Sequence, residues 1–517
     1  MAAIKLLKVM HTIGFLSPRA FLRFLSAVCR DGINLMLLLT IGAVVYGEKA
    51  ALVAGKETLT YSQLKEHSET LAIALSEEYQ LGKGTNTAFL CRSHAALIEA
   101  LFAASRTGST LYLLNPDMGH RQFDALAEGI GFDLVVYDEE FQNLVSGSLH
   151  VKKKLMSYSM QGPSVEGLAK AHRTRPGQLK RASGSRIVLL TGGTTGKPKK
   201  AVHRTSLVHF LNPFSELTGR LQLATKSTAY IATPIFHGYG IAILISLLAL
   251  GKKVVIQERF EAGAACRLVH QHRVELITVV PVMIEKMLKT DPEKLASLTC
   301  IASGGAALNP KLVSQVQESL GDVLYNLYGT SEAGLNIIAT PQDLAQKAET
   351  VGKSLRGTHI KVFENGVAKK TGEIGQLCVR NGWSMKNRKS GWLETGDLGY
   401  QDEEGYYFLC GRTDDLIISG GTNIYPAEIE QALRSHPLIE EAAVVGVPDE
   451  RYGASVKAFI QPVEGSALTQ EALAEWLQPM LGNYQLPRSI EFRHELPYTD
   501  IGKLDKKLLK KTGETGE

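Results

Sequence analysis

Short apolar runs, each followed by a stretch with helical periodicity, are the feature that most restricts how this chain can fold. Strands that alternate with helices along a chain form parallel sheets buried between those helices. The predicted strands are Ala88–Leu90, Thr110–Leu114, Leu134–Tyr137, Ile187–Leu190, Ala229–Ala232, Lys253–Ile256 and Leu276–Val280. Residues 58–75 form a predicted helix with Thr58 or Thr60 as its cap. The expected fold class is therefore α/β.

The pattern changes at Lys353, after which short apolar runs are divided by Gly and Asp turns. This region is predicted to be antiparallel or barrel-like, with strands at His359–Phe363, Gly375–Val379 and Gly405–Cys410. A second change follows Gly411-Arg412. The predicted elements beyond it are helices at 423–435 and 469–480 and strands at Ala442–Val447 and Val456–Pro462.

The chain has 517 residues, which is more than one ordinary domain contains. We expect an N-terminal segment at 1–30, a large domain at 31–411 and a C-terminal α+β domain at 412–517. Asp414 lies beside this boundary and is a candidate hinge, because a polar residue near the end of an element can absorb a backbone rotation.

Residues 1–30 contain basic and apolar side chains but no acidic residue. The apolar run Leu35–Val45 that follows has eleven residues, and a membrane-spanning helix needs about 20. A secretory signal fits badly because no small-x-small cleavage site follows. Two interpretations stay open for residues 1–30: a basic amphipathic segment that lies on an anionic membrane surface, or a helix packed against the rest of the protein.

Composition excludes several classes of protein. Hydrophobic residues make up 44% and charged residues 21%, which argues against disorder, collagen-like repeats and a polytopic membrane protein. The net charge of +5 is too small to indicate nucleic-acid binding. Six scattered cysteines without a CxxC pair disfavour a disulfide framework or a zinc site and favour a reducing cytosol. His270 and His272 fit a polar helix face better than a metal site.

A loop rich in Gly, hydroxyl and Lys residues follows the apolar run at Ile187–Leu190 and extends to Lys199. Glycines let consecutive N–H groups curve around an anion, so this loop is a candidate phosphate cradle. It is not a Walker A loop, since Thr191 replaces the first glycine and Pro198 follows the lysine. The alternative is an ordinary flexible strand-to-helix loop.

Two further clusters combine groups that suit a nucleotide. Residues 326–332 bring together an aromatic ring, hydroxyls and Glu332, a hard oxygen ligand suited to Mg²⁺. The alternative is a helix cap at Thr330-Ser331-Glu332. Residues 395–399 place Asp397 in a predicted tight turn, where it could accept hydrogen bonds from two ribose hydroxyls. A plain turn aspartate is the alternative.

Two last clusters lie at and beyond the predicted boundary. Arg412 could bond a ribose or phosphate, and Gly420-Gly421 would let a linear ligand approach the backbone closely. Lys503 follows a Gly turn near the C-terminus, among further lysines. Judged alone, it fits a solvated charge better than a catalytic group.

Taken together, these motifs resemble the adenylate-forming superfamily of acyl-CoA synthetases, peptide-synthetase adenylation domains and luciferases. The similarity runs from about residue 58 to 510. The motifs that carry it are TGGTTGKPK at 191–199, PIFHGYG at 234–240, SGGAAL at 303–308, YGTSE at 328–332, TGDLG at 395–399, GRTDDLIISGGTNIYPAEIE at 411–430 and GK at 502–503. The resemblance implies two α/β subdomains and a β-barrel-like subdomain, followed by a small mobile C-terminal domain.

The resemblance also implies roles for single residues. Lys503 would pair with the carboxylate and the α-phosphate, Thr330 would contact the α-phosphate, and His237 would lie at the acyl pocket; these three are the predicted catalytic residues. Glu332 would hold Mg²⁺ and Asp414 would be the hinge. The predicted nucleotide- and CoA-binding residues are Thr191, Gly192, Gly193, Thr194, Thr195, Gly196, Lys199, Gly304, Gly305, Asn326, Tyr328, Gly329, Asp397, Arg412 and Gly421.

The implied reaction has two steps. A carboxylic acid and ATP form an acyl-adenylate and pyrophosphate, and CoA then displaces AMP to give a thioester. The apolar residues after His237 favour a medium- or long-chain fatty acid. Two alternatives stay open, namely a fatty-acyl-AMP ligase that loads a carrier protein and a non-catalytic sensor of acyl-AMP or ATP. A hydrolase is disfavoured because the chain has no GxSxG motif.

Overall fold

The computed structural model describes residues 18–171, 179–191, 199–203, 207–384, 391–419, 422–449, 451–499 and 503–515. The helices are α1 (Pro18–Asp31), α2 (Met36–Tyr46), α3 (Tyr61–Glu77), α4 (Ala95–Thr107), α5 (His120–Ile130), α6 (Gln142–Ser146), α7 (Val165–Lys170), α8 (Leu207–Arg220), α9 (Gly238–Ala249), α10 (Ala262–His272), α11 (Pro281–Thr290), α12 (Pro310–Leu320), α13 (Pro341–Gln346), α14 (Pro426–Arg434), α15 (Gln470–Leu477) and α16 (Lys506–Thr515). The strands are β1 (Ala50–Ala54), β2 (Glu57–Thr60), β3 (Asn86–Leu90), β4 (Thr110–Leu113), β5 (Phe132–Tyr137), β6 (Val151–Met156), β7 (Ile187–Thr191), β8 (Lys199–His203), β9 (Thr228–Ile231), β10 (Lys253–Ile256), β11 (Leu276–Val279), β12 (Cys300–Gly304), β13 (Leu324–Thr330), β14 (Gly334–Ala339), β15 (Lys353–Ser354), β16 (His359–Glu364), β17 (Val367–Ala368), β18 (Gly375–Arg380), β19 (Leu393–Gln401), β20 (Tyr407–Arg412), β21 (Ile417–Ser419), β22 (Thr422–Ile424), β23 (Ile439–Asp449), β24 (Gly453–Pro462) and β25 (Ser489–Phe492).

Two mainly parallel sheets form most of the N-terminal part of the chain. One has the strand order β6-β5-β3-β4-β7-β8 and is parallel except at β8. The other has the order β15-β14-β13-β12-β11-β9-β10-β1-β2, with antiparallel pairing only at its two ends. The predicted α/β fold class is confirmed, and the seven apolar runs predicted as strands in these two sheets are strands, to within two residues at either end. The strands predicted at Ala442–Val447 and Val456–Pro462 each begin three residues earlier, as β23 and β24.

The helix predicted at 58–75 begins later than expected. It starts at Tyr61, and residues 57–60 pair with β1 as strand β2 instead. Thr60 is the cap: its Oγ1 accepts from the Gln63 N–H at 3.2 Å, and Gln63 Oε1 accepts from the Thr60 N–H at 2.9 Å. Such a reciprocal pair satisfies two amide groups that the first helical turn leaves without partners.

The region after Lys353 forms an antiparallel sheet with the order β17-β16-β18-β19-β20, as its turn-rich sequence predicts. Residues 395–399 are not in a tight turn, which corrects the prediction for Asp397. They lie inside β19, where Asp397 pairs with Arg412 of β20. Arg412, which the predicted boundary assigns to the C-terminal domain, is therefore the last residue of this sheet.

The C-terminal part begins with the β21–β22 hairpin and continues as a three-stranded sheet in the order β23-β24-β25. Helices α14 and α15 bury Ile429, Leu433 and Leu473 against this sheet. Helix α16, which the sequence patterns did not predict, packs on β23 and buries Leu509. This small α+β unit beside a large α/β part is the predicted architecture.

Helix α1 packs along α2, and its C-terminal end is fixed by a charge network. The buried Asp31 carboxylate accepts from Arg30 at 2.8 Å and from Arg106 of α4 at 2.9 Å. Farther towards the N-terminus, Leu22 and Leu25 are 65% and 43% exposed. Within the described ranges, no helix combines the length and the apolar character needed to cross a membrane.

Candidate active site

Residues from distant parts of the chain meet where the antiparallel sheet faces the C-terminal part. Asp397 and Arg412 come from β19 and β20, His237 precedes α9, and Lys503 lies just before α16. Lys503 interacts electrostatically with Asp397, Arg412 and His237. The structure therefore brings together four of the predicted site residues that are up to 266 positions apart in the sequence.

Asp397 is the most constrained acid of this cluster, with an exposed fraction of 9%. One carboxylate oxygen accepts from the Tyr328 hydroxyl at 2.6 Å, and the other accepts from Arg412 Nη1 at 2.9 Å. Its own N–H donates to Thr395 Oγ1 at 3.1 Å. These contacts fix the carboxylate while leaving it further acceptor sites, as a carboxylate has about four lone-pair positions.

His237 presents an imidazole that is neutral at physiological pH. Burial lowers its pKa to about 4, the positive charge of Lys503 adds to this shift, and Asp117 opposes it. The buried Nε2 atom has no hydrogen-bond partner among the residues that the structure describes. A buried polar atom without a partner is costly, so Nε2 is a candidate contact for a bound ligand.

Lys503 is exposed to solvent, but it lies close enough to Asp397, Arg412 and His237 for their charges to interact. Desolvation lowers the pKa of its ammonium group, Asp397 counteracts this shift, and Arg412 adds to it. Ionisable groups perturbed in this way are common at functional sites. The ammonium group of Lys503 has lost part of its hydration, so a phosphate or carboxylate that bound beside it would compensate for this loss.

Strand β13 carries Asn326, Tyr328 and Thr330 on one face. The Tyr328 ring is 8% exposed and belongs to an apolar cluster between the sheets, and the Asn326 amide donates to the Thr350 carbonyl at 3.2 Å. Thr330 Oγ1 accepts from the Ala333 N–H at 3.0 Å within the turn before β14. Strand β14 follows this turn, so Thr330 caps a turn and not a helix. Glu332 lies half-buried inside the same turn.

A close backbone approach requires glycine at position 329 and leaves little room for a side chain at position 304. A Cβ atom on Gly329 would lie 2.4 Å from the Gly334 carbonyl oxygen, and one on Gly304 would lie 3.0 Å from that of Leu327. Gly305 follows with φ +82°, which other residues rarely adopt. Gly304 and Gly329 lie at the carboxyl ends of β12 and β13, the side of a parallel sheet where ligands of α/β proteins usually bind.

The predicted phosphate loop connects two strands, not a strand and a helix. Thr191 ends β7, Lys199 begins β8, and the two residues pair. A Cβ atom on Gly238 would lie 2.8 Å from Leu189 Cδ1, so β7 runs beside the start of α9. The predicted loop residues Gly192, Gly193, Thr194, Thr195 and Gly196 lie outside the described residues, as does Gly421.

Several residues of this region were not singled out from the sequence. Tyr239 is half-buried and donates to the Ala302 carbonyl at 2.7 Å, and its Cε1 atom would lie 3.5 Å from a Cβ atom placed on Gly304. Its place in the PIFHGYG motif was the available signal. Asp117 acts electrostatically on His237 and binds Arg92 at 2.9 Å. No sequence signal pointed to Asp117, since it lies 120 positions before His237.

Lysines of the N-terminal part hold the C-terminal unit in this position. Lys311 donates to the His436 carbonyl at 2.7 Å, just beyond the C-terminal end of α14, where a cation is favoured. Lys289 pairs with Glu440 at 3.0 Å. Arg412 also lies 3.4 Å from Asp414, so the predicted hinge touches the ribose-binding candidates.

Comparison with known proteins gives consistent matches. The family model described as AMP-binding enzyme matches residues 41–387, and the model for the AMP-binding enzyme C-terminal domain matches residues 428–503. The 2-succinylbenzoate–CoA ligase of Bacillus subtilis (strain 168) is 30% identical over 482 residues, which cover 90% of this chain and 95% of that protein. A feruloyl-CoA synthase of Amycolatopsis sp is 30% identical over 87% of this chain and 93% of its own length.

Solved structures agree with these sequence matches. The o-succinylbenzoate CoA synthetase of Bacillus subtilis, in complex with its acyl-adenylate intermediate, superposes with a TM-score of 0.79 at 27% identity and covers 92% of this chain and 97% of its own. The amide bond synthetase McbA of Marinactinospora thermotolerans gives a TM-score of 0.80 at 25% identity, covering 93% and 100%. The chain is therefore a member of the AMP-binding enzyme family, within the adenylate-forming superfamily that its motifs resemble.

Proposed function

We propose that this protein is an AMP-forming acid–thiol ligase that joins a carboxylic acid to CoA at the expense of ATP. The observation that carries this proposal is the approach of Lys503, from the C-terminal part, to Asp397, Arg412 and His237 of the N-terminal part. The names of its relatives, 2-succinylbenzoate–CoA ligase and feruloyl-CoA synthase, support acid–CoA ligation as the reaction class.

In the proposed first step, a carboxylate oxygen of the acid attacks the α-phosphorus of ATP, and the bond to the β-phosphate oxygen breaks. The products are the acyl-adenylate and pyrophosphate. Two anions must approach each other, so the ammonium group of Lys503 would stabilise the transition state electrostatically. Thr330 would contact the α-phosphate, and Asp397 and Arg412 would hold the ribose. Glu332 is a suitable oxygen ligand for Mg²⁺, which neutralises phosphate charge when bound.

Backbone and side-chain groups around the ends of β7, β12 and β13 would complete the ATP site. Gly305 would let adenine lie against the backbone, since the nearest atom to the position of a Cβ atom there is Val280 Cγ1, at 3.7 Å. The assigned residues are Thr191, Gly192, Gly193, Thr194, Thr195, Gly196 and Lys199 for the phosphates, and Gly304, Gly305, Asn326, Tyr328 and Gly329 for adenine.

In the second step, the thiol sulfur of CoA would attack the acyl carbonyl carbon, and AMP would leave with the electron pair of the broken C–O bond. We propose that the C-terminal domain, predicted from the sequence at 412–517 but lying beyond Arg412 of β20, rotates about Asp414 between the steps. Gly421 would then line the path of the pantetheine arm. A carrier protein as acceptor and a non-catalytic acyl-AMP sensor are the alternatives.

We propose two candidate classes for the carboxylic acid substrate. The apolar segment after His237 favours a medium- or long-chain fatty acid, as the sequence predicts. An aromatic acid is the second candidate, because the names of both relatives specify aromatic acids. The flat ring of Tyr239 beside Gly304 is compatible with a planar substrate.

A substrate panel tests the reaction and its substrate together. Fatty acids from C2 to C18 and substituted benzoates and cinnamates are each assayed for acid-dependent pyrophosphate exchange, then for thioester formation with CoA. We expect exchange and thioester with at least one acid. Exchange without thioester would favour the carrier-protein alternative, and no exchange with any acid would contradict the ligase function. The preferred class is decided by kcat/KM.

We further propose that the protein acts in the cytoplasm and that α1 contacts membrane surfaces peripherally. Leu22 and Leu25 are exposed and three positions apart, so they share one face of the helix. Arg23 is exposed next to Leu22, and residues 1–30 contain no acid. Exposed apolar and cationic side chains on one helix favour an anionic lipid surface.

Vesicle co-sedimentation tests this contact. The chain should sediment with vesicles that contain phosphatidylglycerol, and the pair Leu22→Ser and Leu25→Ser should lower the bound fraction several-fold. Leu149→Ser is the matched control, since Leu149 is 95% exposed in a different part of the fold. Equal sedimentation of all three proteins, or none with the unaltered chain, would show that α1 does not bind membranes.

A further inference from the structure

Lys506, three positions after Lys503, is not the solvated charge that the lysine-rich C-terminus suggests. Its ammonium group lies 2.6 Å from Glu430 Oε1, and the Glu430 carboxylate is 6% exposed. The same oxygen accepts from the Val444 N–H at 2.7 Å. Glu430 therefore links three elements, since it lies in α14, contacts β23 and binds the first residue of α16.

Backbone hydrogen bonds connect Lys503 and Asp505 to the residues at 497–499. The Thr499 N–H donates to the Lys503 carbonyl at 2.7 Å, and the Lys503 N–H donates to Thr499 Oγ1 at 3.2 Å. The Asp505 N–H donates to the Pro497 carbonyl at 2.8 Å. Two hydrogen bonds thus tie Lys503 to Thr499, and helix α16 begins three residues later at the ion-paired Lys506.

The charges of Lys506 and Glu430 also act on a second acid, Asp415. Burial raises the pKa of Asp415, next to the predicted hinge Asp414, while Lys506 lowers it and Glu430 raises it. The ion-pair partner of Lys506 is Glu430 of α14, at 2.6 Å. Removing one partner of a buried ion pair leaves the other charge without compensation, which is strongly destabilising locally.

We propose that Glu430 and Lys506 are positioning residues that hold Lys503, three residues before Lys506, in reach of the adenylation site. This inference rests on the proposed ligase function and extends it to two residues outside the site. Both act within the C-terminal unit, so they set the orientation of Lys503 whenever that unit docks. Displacing a reacting group by about 1 Å can lower a rate by about 100-fold.

The test uses the full-length chain with Glu430→Gln. The glutamine keeps the shape and the acceptor for Val444 but removes the charge that binds Lys506. We expect kcat of pyrophosphate exchange to fall by about 10- to 100-fold with little change in KM for ATP or acid. Thioester formation from supplied acyl-AMP, which needs no Lys503, should stay within about twofold, the scatter of such assays.

Two variants separate positioning from general stability. Lys506→Arg keeps the cation and should retain most of the exchange activity. Lys510→Met removes an exposed lysine of the same helix and should change neither step. Unaltered exchange in Glu430→Gln, or an equal loss in both steps with a lowered Tm, would overturn the positioning role. Absence of exchange in the unaltered chain would instead overturn the ligase function, and this inference with it.

Discussion

Replacing Lys503 with alanine should lower the rate of acyl-adenylate formation by about 1,000-fold, the upper range for losing one electrostatic contact to a transition state. Lys503 stands beside Asp397, Arg412 and His237, and desolvation already lowers the pKa of its ammonium group. A cation held in such surroundings needs little further reorganisation when negative charge develops nearby. Pyrophosphate exchange with the preferred acid measures this step.

The same variant should convert supplied acyl-AMP and CoA to thioester at nearly the rate of the unaltered protein. The second step forms no bond at phosphorus, so it has no need of the cation at that position. Lys507→Ala is the matched control, because Lys507 is exposed four positions away. If Lys503→Ala slowed both steps equally, its assigned role in adenylation would be wrong.

Much of the fold could be predicted because hydrophobic burial leaves a local pattern. The runs at Ala88–Leu90 and Leu276–Val280 are apolar because helices cover both faces of their sheets, and both are parallel strands in the structure. The start of α3 was less certain from sequence. Thr58 and Thr60 are equally good caps by type, and pairing with β1, a tertiary contact, selects Thr60.

The site could be predicted as a set of motifs but not as an arrangement. Gly and Asp at 396–397 have the composition of a turn, yet pairing with β20 draws them into a strand. The environment of His237 depends on Asp117 and Lys503, both more than 100 positions away. Lys506 looks like any surface lysine until α14 brings Glu430 against it. Local composition carries no information about such partners.

Asp397→Asn should lower kcat/KM for ATP by at least about 100-fold, since hydrogen bonds to a charged acceptor contribute about 1.5–3 kcal/mol each and the proposed ribose contact has two. The substitution keeps the side-chain shape, and the Tyr328 hydroxyl can still donate to the amide oxygen. What disappears is the negative charge that orders Arg412 and accepts from the ribose.

An ATP analogue that lacks both ribose hydroxyls separates these contributions. If Asp397 acts through the ribose, the Asp397→Asn variant should be nearly as active as the unaltered chain with this analogue, because the interaction has already been lost on the substrate side. Tyr328→Phe is the structural control: it removes the 2.6 Å contact to Asp397 but keeps the charge, so its effect should be smaller and equal for both nucleotides. If the 100-fold loss in Asp397→Asn were just as large with the analogue, Asp397 would not act by binding the ribose. Its carboxylate would then act by orienting Arg412 and the edge of the sheet.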